Sequence, residues 1–510
     1  VFAEALNLAR AAEYELGQAD ADLGLAEVSL LHSRVDQALI GTQAALQLYT
    51  DQKNALGTAN ANRLLGEINM RRGQLSYANS TMERAQRMYK ALAFPIGLAE
   101  ATIGLGEIQR RRSFLDRALQ TFQEGRKQSH IFHNGEAESR ALLGLGDVYH
   151  QQGQIGQAKN AYVDARTHIE ALGESASAPG IAEAEVRLGR LAIFTGDLKD
   201  AEAHLVSAKE AMKRGPLTHQ VNPLALIVWG QLFLTQGDFS QAEARFSEAY
   251  EQAEAQQEPL RAAESMLGLA QTRLAREEFD AAMTTFLEAG RQFQLIESTD
   301  GDGNAVLGVA QVDLGRELWD EAVEHGQAAL TRFQQAGDLI GQADALLTLG
   351  LSHTSKDEQE EALSHFEQAL KLYHQLRQPL GVADTRSAQA RVYLTRGDLE
   401  RAREEEAKAI AQVERVMQSL STPQQWSMFL RQYADLYAQT VITDVQRNQD
   451  EQARILLQNF VRIAGSAEVV RHMQTYEKAL LTEGDGLSEA EIATNKDVAR
   501  RLEQLRKGLP

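Results

Sequence analysis

The chain of 510 residues carries 52 Lys and Arg against 71 Asp and Glu, a formal net charge of −19, and it has no cysteine. That balance argues against nucleic acid as the main partner and against docking on an anionic membrane, since both need an excess of cations. It also leaves no disulfide, zinc thiolate or cysteine nucleophile, while 8 prolines among abundant Ala, Leu, Gln and Glu predict an all-α chain.

The first residues, "VFAEALNLAR", lack a Met, a basic start and a signal-peptide core. Phe2 lies 40 residues before Thr42, and Ala5 lies 40 before Ala45. Residues 1–19 therefore read as part of helix B of a preceding unit, and a longer natural chain is expected.

From residue 20 one motif returns. An Ala follows a polar turn at Ala38, Ala78, Ala118, Ala158, Ala201, Ala242, Ala282, Ala322, Ala362 and Ala402, at intervals of 40 except for one of 43 and one of 41. Twelve residues before each lies Gly or Ala, as in Gly66, Gly106, Gly146, Gly230 and Gly350. Seven residues after lies Ala or Gly, and four after there is often a large side chain, as in Phe122, Tyr162, Phe246, Phe286 and Phe366. Each unit reads as helix A, turn, helix B; Phe366, Ala369, Leu370 and Tyr373 fall at i, i+3, i+4, i+7. Small residues at fixed positions let neighbouring helices approach closely.

Ten such units over 20–415 predict a solenoid in which each unit contacts its neighbours. The longer intervals place insertions, read as hinges, in 171–185 and 213–226, with Pro179, Pro216 and Pro223. After residue 415 the register fails, and 416–510 is predicted as a C-terminal helical extension. "STPQQWSMFLRQYADLYAQTVITDVQ" reads as one long helix capped by Ser421 or Thr422, with "DEQARILLQNFVRIAG" as its partner and Ala453 in place of the repeat Ala. Ser488 and Glu491 stand in capping-box spacing before the last helix.

The unit resembles the tetratricopeptide repeat. The resemblance rests on a small residue at position 8 (Gly146), an aromatic at 11 (Tyr149), Ala at 20 (Ala158), a large side chain at 24 (Tyr162) and Ala at 27 (Ala165). It implies a right-handed α-solenoid superhelix with helices A on the concave side. The unit is 40 residues rather than the family's usual 34, and the family's Pro near the end of helix B is missing, which predicts longer helices. The helix "SLSTPQQWSMFLRQYADLY" also resembles the segment that joins such arrays to bacterial caspase-like CHAT proteases. The protease itself needs a Cys, and this chain has none.

Catalysis needs convergent titratable groups, and none stands out, so no enzyme activity, metal or cofactor is expected. His130 and His133, with His150 as an imagined third ligand, read as polar residues near a junction. "STDGDGNA" (298–305) starts like a calcium loop but has Ala305 where Gly belongs and Gln311 where Glu belongs. It reads as a turn with a helix N-cap, as does "EGDGLSEAE" (483–491). "GLGD" lacks a Walker lysine, and Trp229, Trp319 and Trp426 read as packing.

In the family, positions 2, 5, 9, 12 and 13 of helix A line the concave groove. Position 9 is Glu27, Glu67, Glu107, Asp147, Arg190, Gln231, Gln271, Gln311, Leu351 and Arg391. Position 2 adds Asp20 and Glu100, and seven residues apart the two positions share a face. An acidic ladder over the first four units is thus expected, giving way to Gln and Leu. The expected partner is a protein or peptide, basic where it meets the N-terminal half. Arg71 and Arg72, and Arg110, Arg111 and Arg112, lie at the ends of two helices A, where cations suit the helix dipole or form a basic rim. The family's chaperone-binding clamp needs Asn at position 9, where this chain has Glu.

The chain is therefore expected to be a non-catalytic protein-interaction scaffold. The alternative is a sensor or regulatory module of a larger signalling protein, with a CHAT protease, DNA-binding domain or ATPase outside it. No apolar run approaches the roughly 20 residues of a membrane span, and a cytoplasmic location is expected.

Overall fold

The computed structural model describes residues 1–214, 222–482 and 488–509, with side chains at all of these except 174–177, 489 and 491. Helix α1 (Phe2–Ala11) comes first. Five helix pairs follow: α2 (Glu15–Leu31) with α3 (Val35–Asp51), α4 (Ala55–Arg71) with α5 (Leu75–Ala91), α6 (Pro95–Arg111) with α7 (Leu115–Ile131), α8 (Gly135–Gln151) with α9 (Ile155–Glu170), and α10 (Glu174–Thr195) with α11 (Leu198–Arg214). Five more complete the array: α12 (Pro223–Gln236) with α13 (Phe239–Ala255), α14 (Pro259–Ala275) with α15 (Phe279–Leu295), α16 (Thr299–Gly315) with α17 (Trp319–Ala336), α18 (Leu339–Ser355) with α19 (Gln359–Leu376), and α20 (Pro379–Thr395) with α21 (Leu399–Gln418). The extension is α22 (Pro423–Arg431), α23 (Ala434–Gln446), α24 (Asp450–Ala464), α25 (Ala467–Thr482) and α26 (Glu489–Lys507). The fold is an all-α solenoid.

Helices α2 to α8 are 17 residues each, joined by three. The long unit thus comes from longer helices. The turns explain the constant spacing. Gln74 N–H donates to the Asn69 carbonyl (2.8 Å) and Gly73 N–H to that of Met70 (3.2 Å), with Gly73 at φ 72°. This Schellman closure stops α4, and its last residue, Gln74, is already the N-cap of α5. The same bonds recur from Asn54 to Tyr49, Gln154 to Tyr149 and Glu278 to Arg273.

Packing explains the small residues. A Cβ on Gly146 would lie 2.3 Å from Cε1 of Tyr162, whose side chain is fully buried. Burying a large apolar side chain is worth about 1.5–3 kcal/mol, more than the roughly 1 kcal/mol that a helical Gly costs. Successive A helices touch, α6 on α8 and α16 on α18, while the B helices splay outward. The A helices therefore form the inner wall.

The superhelix winds tightly enough for its turns to touch. Gln257 donates to Asp36 (2.8 Å), Ser76 Oγ to Glu297 (2.8 Å) and Leu198 N–H to Ser419 Oγ (3.1 Å), each across 221 residues. With 40-residue units, that separation is about five and a half units per turn. The half unit brings an A–B turn of one coil against a B–A turn of the next. The accessible surface is 23382 Å², above the roughly 18,500 Å² of a compact monomer of this mass. The array is thus coiled around an open lumen rather than collapsed.

Three local expectations change. Residues 171–185 are not an open hinge, because α10 begins at Glu174 and runs 22 residues with Pro179 inside it; the inserted residues lengthen the A helix at its N-terminus. Pro223 is the first residue of α12, and Asn222 caps it by accepting the Leu224 N–H at 2.9 Å. Pro216 lies outside the described residues. The long helix after 421 is broken into α22 and α23. The break buries Phe429 and Leu430 and lets the Gln432 amide reach the Thr235 carbonyl at 3.1 Å. Thr422 caps α22 in a capping box with Gln425. The capping partner expected of Ser488, the Glu491 side chain, lies outside the described residues, as does most of 483–491.

The extension does not stand apart. Phe429, Val441 and Phe460 share one core with Val228 and Leu232 of α12 and with Val413 and Val416 of α21.

Candidate functional site

In the first coil, positions 2 and 9 share the inner wall, but the acids there do not form a bare ladder. Arg63 lies 3.2 Å from Glu27, 3.6 Å from Glu67 and 3.2 Å from Glu100, bridging three units. Glu107 is held by Arg110 at 2.8 Å and Arg111 at 2.7 Å. Burial would raise its pKa, but those two guanidinium groups hold it down at about 2. Asp20 accepts the Tyr49 hydroxyl at 2.6 Å. The expected acidic ladder is thus corrected: Arg63 between positions 2 and 9, and Arg110 and Arg111 after position 9, neutralise it.

Asp147 is the centre of this network. It accepts from Arg187 at 3.1 Å, Arg190 at 3.4 Å and the Tyr162 hydroxyl at 2.8 Å, and lies 3.9 Å from Arg110. Burial opposes ionisation, yet Arg187, then Arg110 and Arg190, hold the carboxyl far below its usual range. The arginines at helix ends turn inward too. Arg71 donates to the Leu30 carbonyl (2.9 Å) and Arg111 to that of Met70 (3.3 Å), each closing the end of the preceding A helix.

The second coil is built differently. Gln231 and Gln271 line the lumen, and Gln311 reaches Thr348 at 3.5 Å. Asp344 accepts the Tyr373 hydroxyl at 2.6 Å, and burial pushes its carboxyl up to about 6. Asp384 is also raised, by desolvation first and by Asp344 second, although its side chain keeps contact with lumen solvent. Among the described residues neither carboxylate has a cation at ion-pair distance.

Where the coils meet lies a cavity of about 260 Å³. Its polar lining includes Arg110, Arg111, Arg187, Arg190 and Arg261 with Asp147, Glu264 and Asp300; Leu224, Ile227, Leu267, Phe246 and Phe293 supply apolar wall. Arg261 and Glu264 are 2.6 Å apart. A second cavity of about 370 Å³ shares Arg111, Leu224, Leu260 and Arg261 with the first and reaches Leu31, Ser33 and Arg71.

Three family models match the chain, each described as the tetratricopeptide repeat, over residues 304–375, 227–294 and 139–165. The chain is a tetratricopeptide repeat protein. Its solenoid is similar to a crystal structure of a Rap protein complexed with Competence and Sporulation Factor, with a TM-score of 0.50, 13% identity, and coverage of 73% of this chain and 99% of that one. A crystal structure of NprR in complex with its cognate peptide NprX gives a TM-score of 0.41 at 13% identity, covering 63% of this chain and 97% of that one. No curated protein matches.

Within the tetratricopeptide repeat frame, the remaining sequence candidates have structural partners. His130 lies 3.2 Å from Glu138, and His150 is buried edge-on to Phe194 at 5.1 Å between ring centroids. Desolvation, then Arg190, keeps His150 neutral with a pKa of about 3. Among the described residues no group of three or more His, Cys, Asp or Glu could hold a metal ion. Asp300 and Asp302 sit in the first turn of α16, with Asp302 on Arg332 at 2.7 Å. Trp229 stacks on Phe233, and the Trp426 indole N–H donates to the Leu420 carbonyl at 3.0 Å. No helix among the described residues is long and apolar enough to cross a membrane.

Sequence reasoning passed over Arg63, Arg187 and Arg261. The signal was present for Arg63, four residues before Glu67 on one face.

Proposed function

We propose that the chain is a non-catalytic interaction scaffold that takes an extended protein or peptide segment into its lumen. One observation carries this reading: the adjoining cavities offer guanidinium, carboxylate and amide groups, chiefly from A helices, beside apolar wall from both A and B helices. An extended segment presents the complements of each, with main-chain amides and carbonyls between apolar side chains. Its charges would exchange with the Arg–carboxylate pairs of the first coil, and a cationic side chain is best placed at Asp344 and Asp384. The Rap protein, of similar fold, has been solved with a factor bound, which supports the class of function.

Peptide display against the full chain, followed by titration, tests this. Selected peptides are expected to bind the native chain and to lose at least about tenfold in affinity, roughly 1.4 kcal/mol, on Gln271→Trp, which fills the cavity. Peptides that bind this variant as tightly as the native chain would place the binding surface elsewhere.

A further inference from the structure

The contact between coils also forms one wall of the first cavity: Gly73, Ile296, Ser298 and Asp300 line it and belong to the seam. We propose that this seam is a latch whose opening admits a segment sideways into the lumen. The proposal rests on the lumen-binding reading above and adds how the lumen is reached.

The seam joins small polar contacts to a few apolar ones: Ile296 and Leu376 close on Gly73 and Gly153, and Leu198 shares a core with Val416. Glu297 accepts from the Ser76 hydroxyl at 2.8 Å and lies 3.4 Å from Arg112. Asp300 accepts from Gln151 at 3.2 Å and from Ser113 at 3.5 Å. Ser419 accepts the Leu198 N–H and donates to the Gly196 carbonyl at 2.9 Å. Water can replace each of these polar contacts with little net change. Contacts between neighbouring units bury whole rings such as Phe122 and Phe246 and are far harder to part. The coil therefore opens along the seam before it opens between units.

The sequence marks the latch at one position of the unit, the left-handed residue of the A–B turn. Units one to six carry Ser33, Gly73, Ser113, Gly153, Gly196 and Gly237 there; units seven to nine carry Glu277, Glu317 and Asp357. The backbone does not explain this division, because Glu277 and Glu317 hold the same conformation at φ 62°. The opposite coil does. A Cβ on Gly73 would lie 2.4 Å from Ile296, one on Gly153 2.7 Å from Leu376, and one on Gly196 2.7 Å from Val416. Gly397, in unit ten, faces nothing within 4 Å among the described residues. Small residues stand where the second coil lands, and acids stand where turns face solvent.

The absence of native cysteine gives a clean reporter. Gln271→Cys puts one thiol in the lumen, and its reaction with a polymer-linked maleimide measures access. Gly73→Ala with Glu297→Ala should speed labelling about tenfold, whereas Gly397→Ala, equally strained but off the seam, should leave it unchanged. Raised salt should speed labelling in the reporter alone by screening Arg112–Glu297, an arm that holds if the double variant fails to fold. Equal labelling in all backgrounds, or the same gain from Gly397→Ala, overturns the latch. The assay needs no partner, so its failure removes the latch and leaves lumen binding to the peptide titration.

Discussion

The two coils both place carboxylates on the inner face of helices A, chiefly at position 9 in the first and at position 2 in the second, and give them opposite surroundings. In the first coil Glu27, Glu67, Glu100, Glu107 and Asp147 each meet an arginine. In the second, Asp344 has a tyrosine hydroxyl and Asp384 has its acidic neighbour. The charge of a repeat groove is thus decided by positions 5, 6, 12 and 13 of helix A as much as by positions 2 and 9.

The largest test of that contrast is Arg187→Met. It leaves Asp147, 4% exposed, with fewer cations and should cost about 3–5 kcal/mol. Hydrogen exchange should rise around α8 to α10 and stay near native in α18 to α21. Protection lost evenly along the chain would mean that the first-coil network is not local.

Next is the joint to the extension. Position 24 holds Phe or Tyr in several units, but in unit ten it holds Glu406, fully buried and hydrogen-bonded by Thr443 at 2.8 Å. Burial pushes its carboxyl up to about 7 from 4.5, despite the Thr443 bond and nearby Arg403. A group raised on folding stabilises below its unfolded value and loses that contribution as pH climbs through the folded one. Native stability should therefore fall between pH 4.5 and 7. Glu406→Gln should remove this dependence and gain about 1–3 kcal/mol above the upper value, with little change below the lower. Melting curves of the two proteins that shift in parallel with pH would show that Glu406 is not the titrating group.

The smallest effect separates the free turns from the seam. Glu277→Gly relieves a left-handed residue facing solvent and should stabilise by about 0.5–1 kcal/mol. A denaturant midpoint that moves down would mean that Glu277 makes contacts of its own.

Much of the fold was legible because packing repeats: the pairing of Gly146 with Tyr162 returns as Gly106 with Phe122, Gly230 with Phe246 and Gly350 with Phe366, so the register shows in the letters. The arginine network was less so, since Arg187 reaches Asp147 across 40 residues and no local spacing announces it. The seam was hidden for a further reason. Superhelical pitch is the sum of small rotations between units, and only that sum decides that Ser76 meets Glu297. The break after Arg431 was concealed by continuous amphipathicity; it goes with packing on a distant element, where Phe429 and Leu430 share a core with Val228 and Leu232 of α12.

The register of 221 residues bears on how the chain comes together. A repeat array folds as a line, each unit needing only the one before it. Here the line gains partners that arrive late: Ser76 is synthesised and packed long before Glu297 exists. Until then the first coil is a finished solenoid with a bare edge, rich in glycine and serine. That edge offers little apolar surface to strangers while it waits for the rest of its own chain.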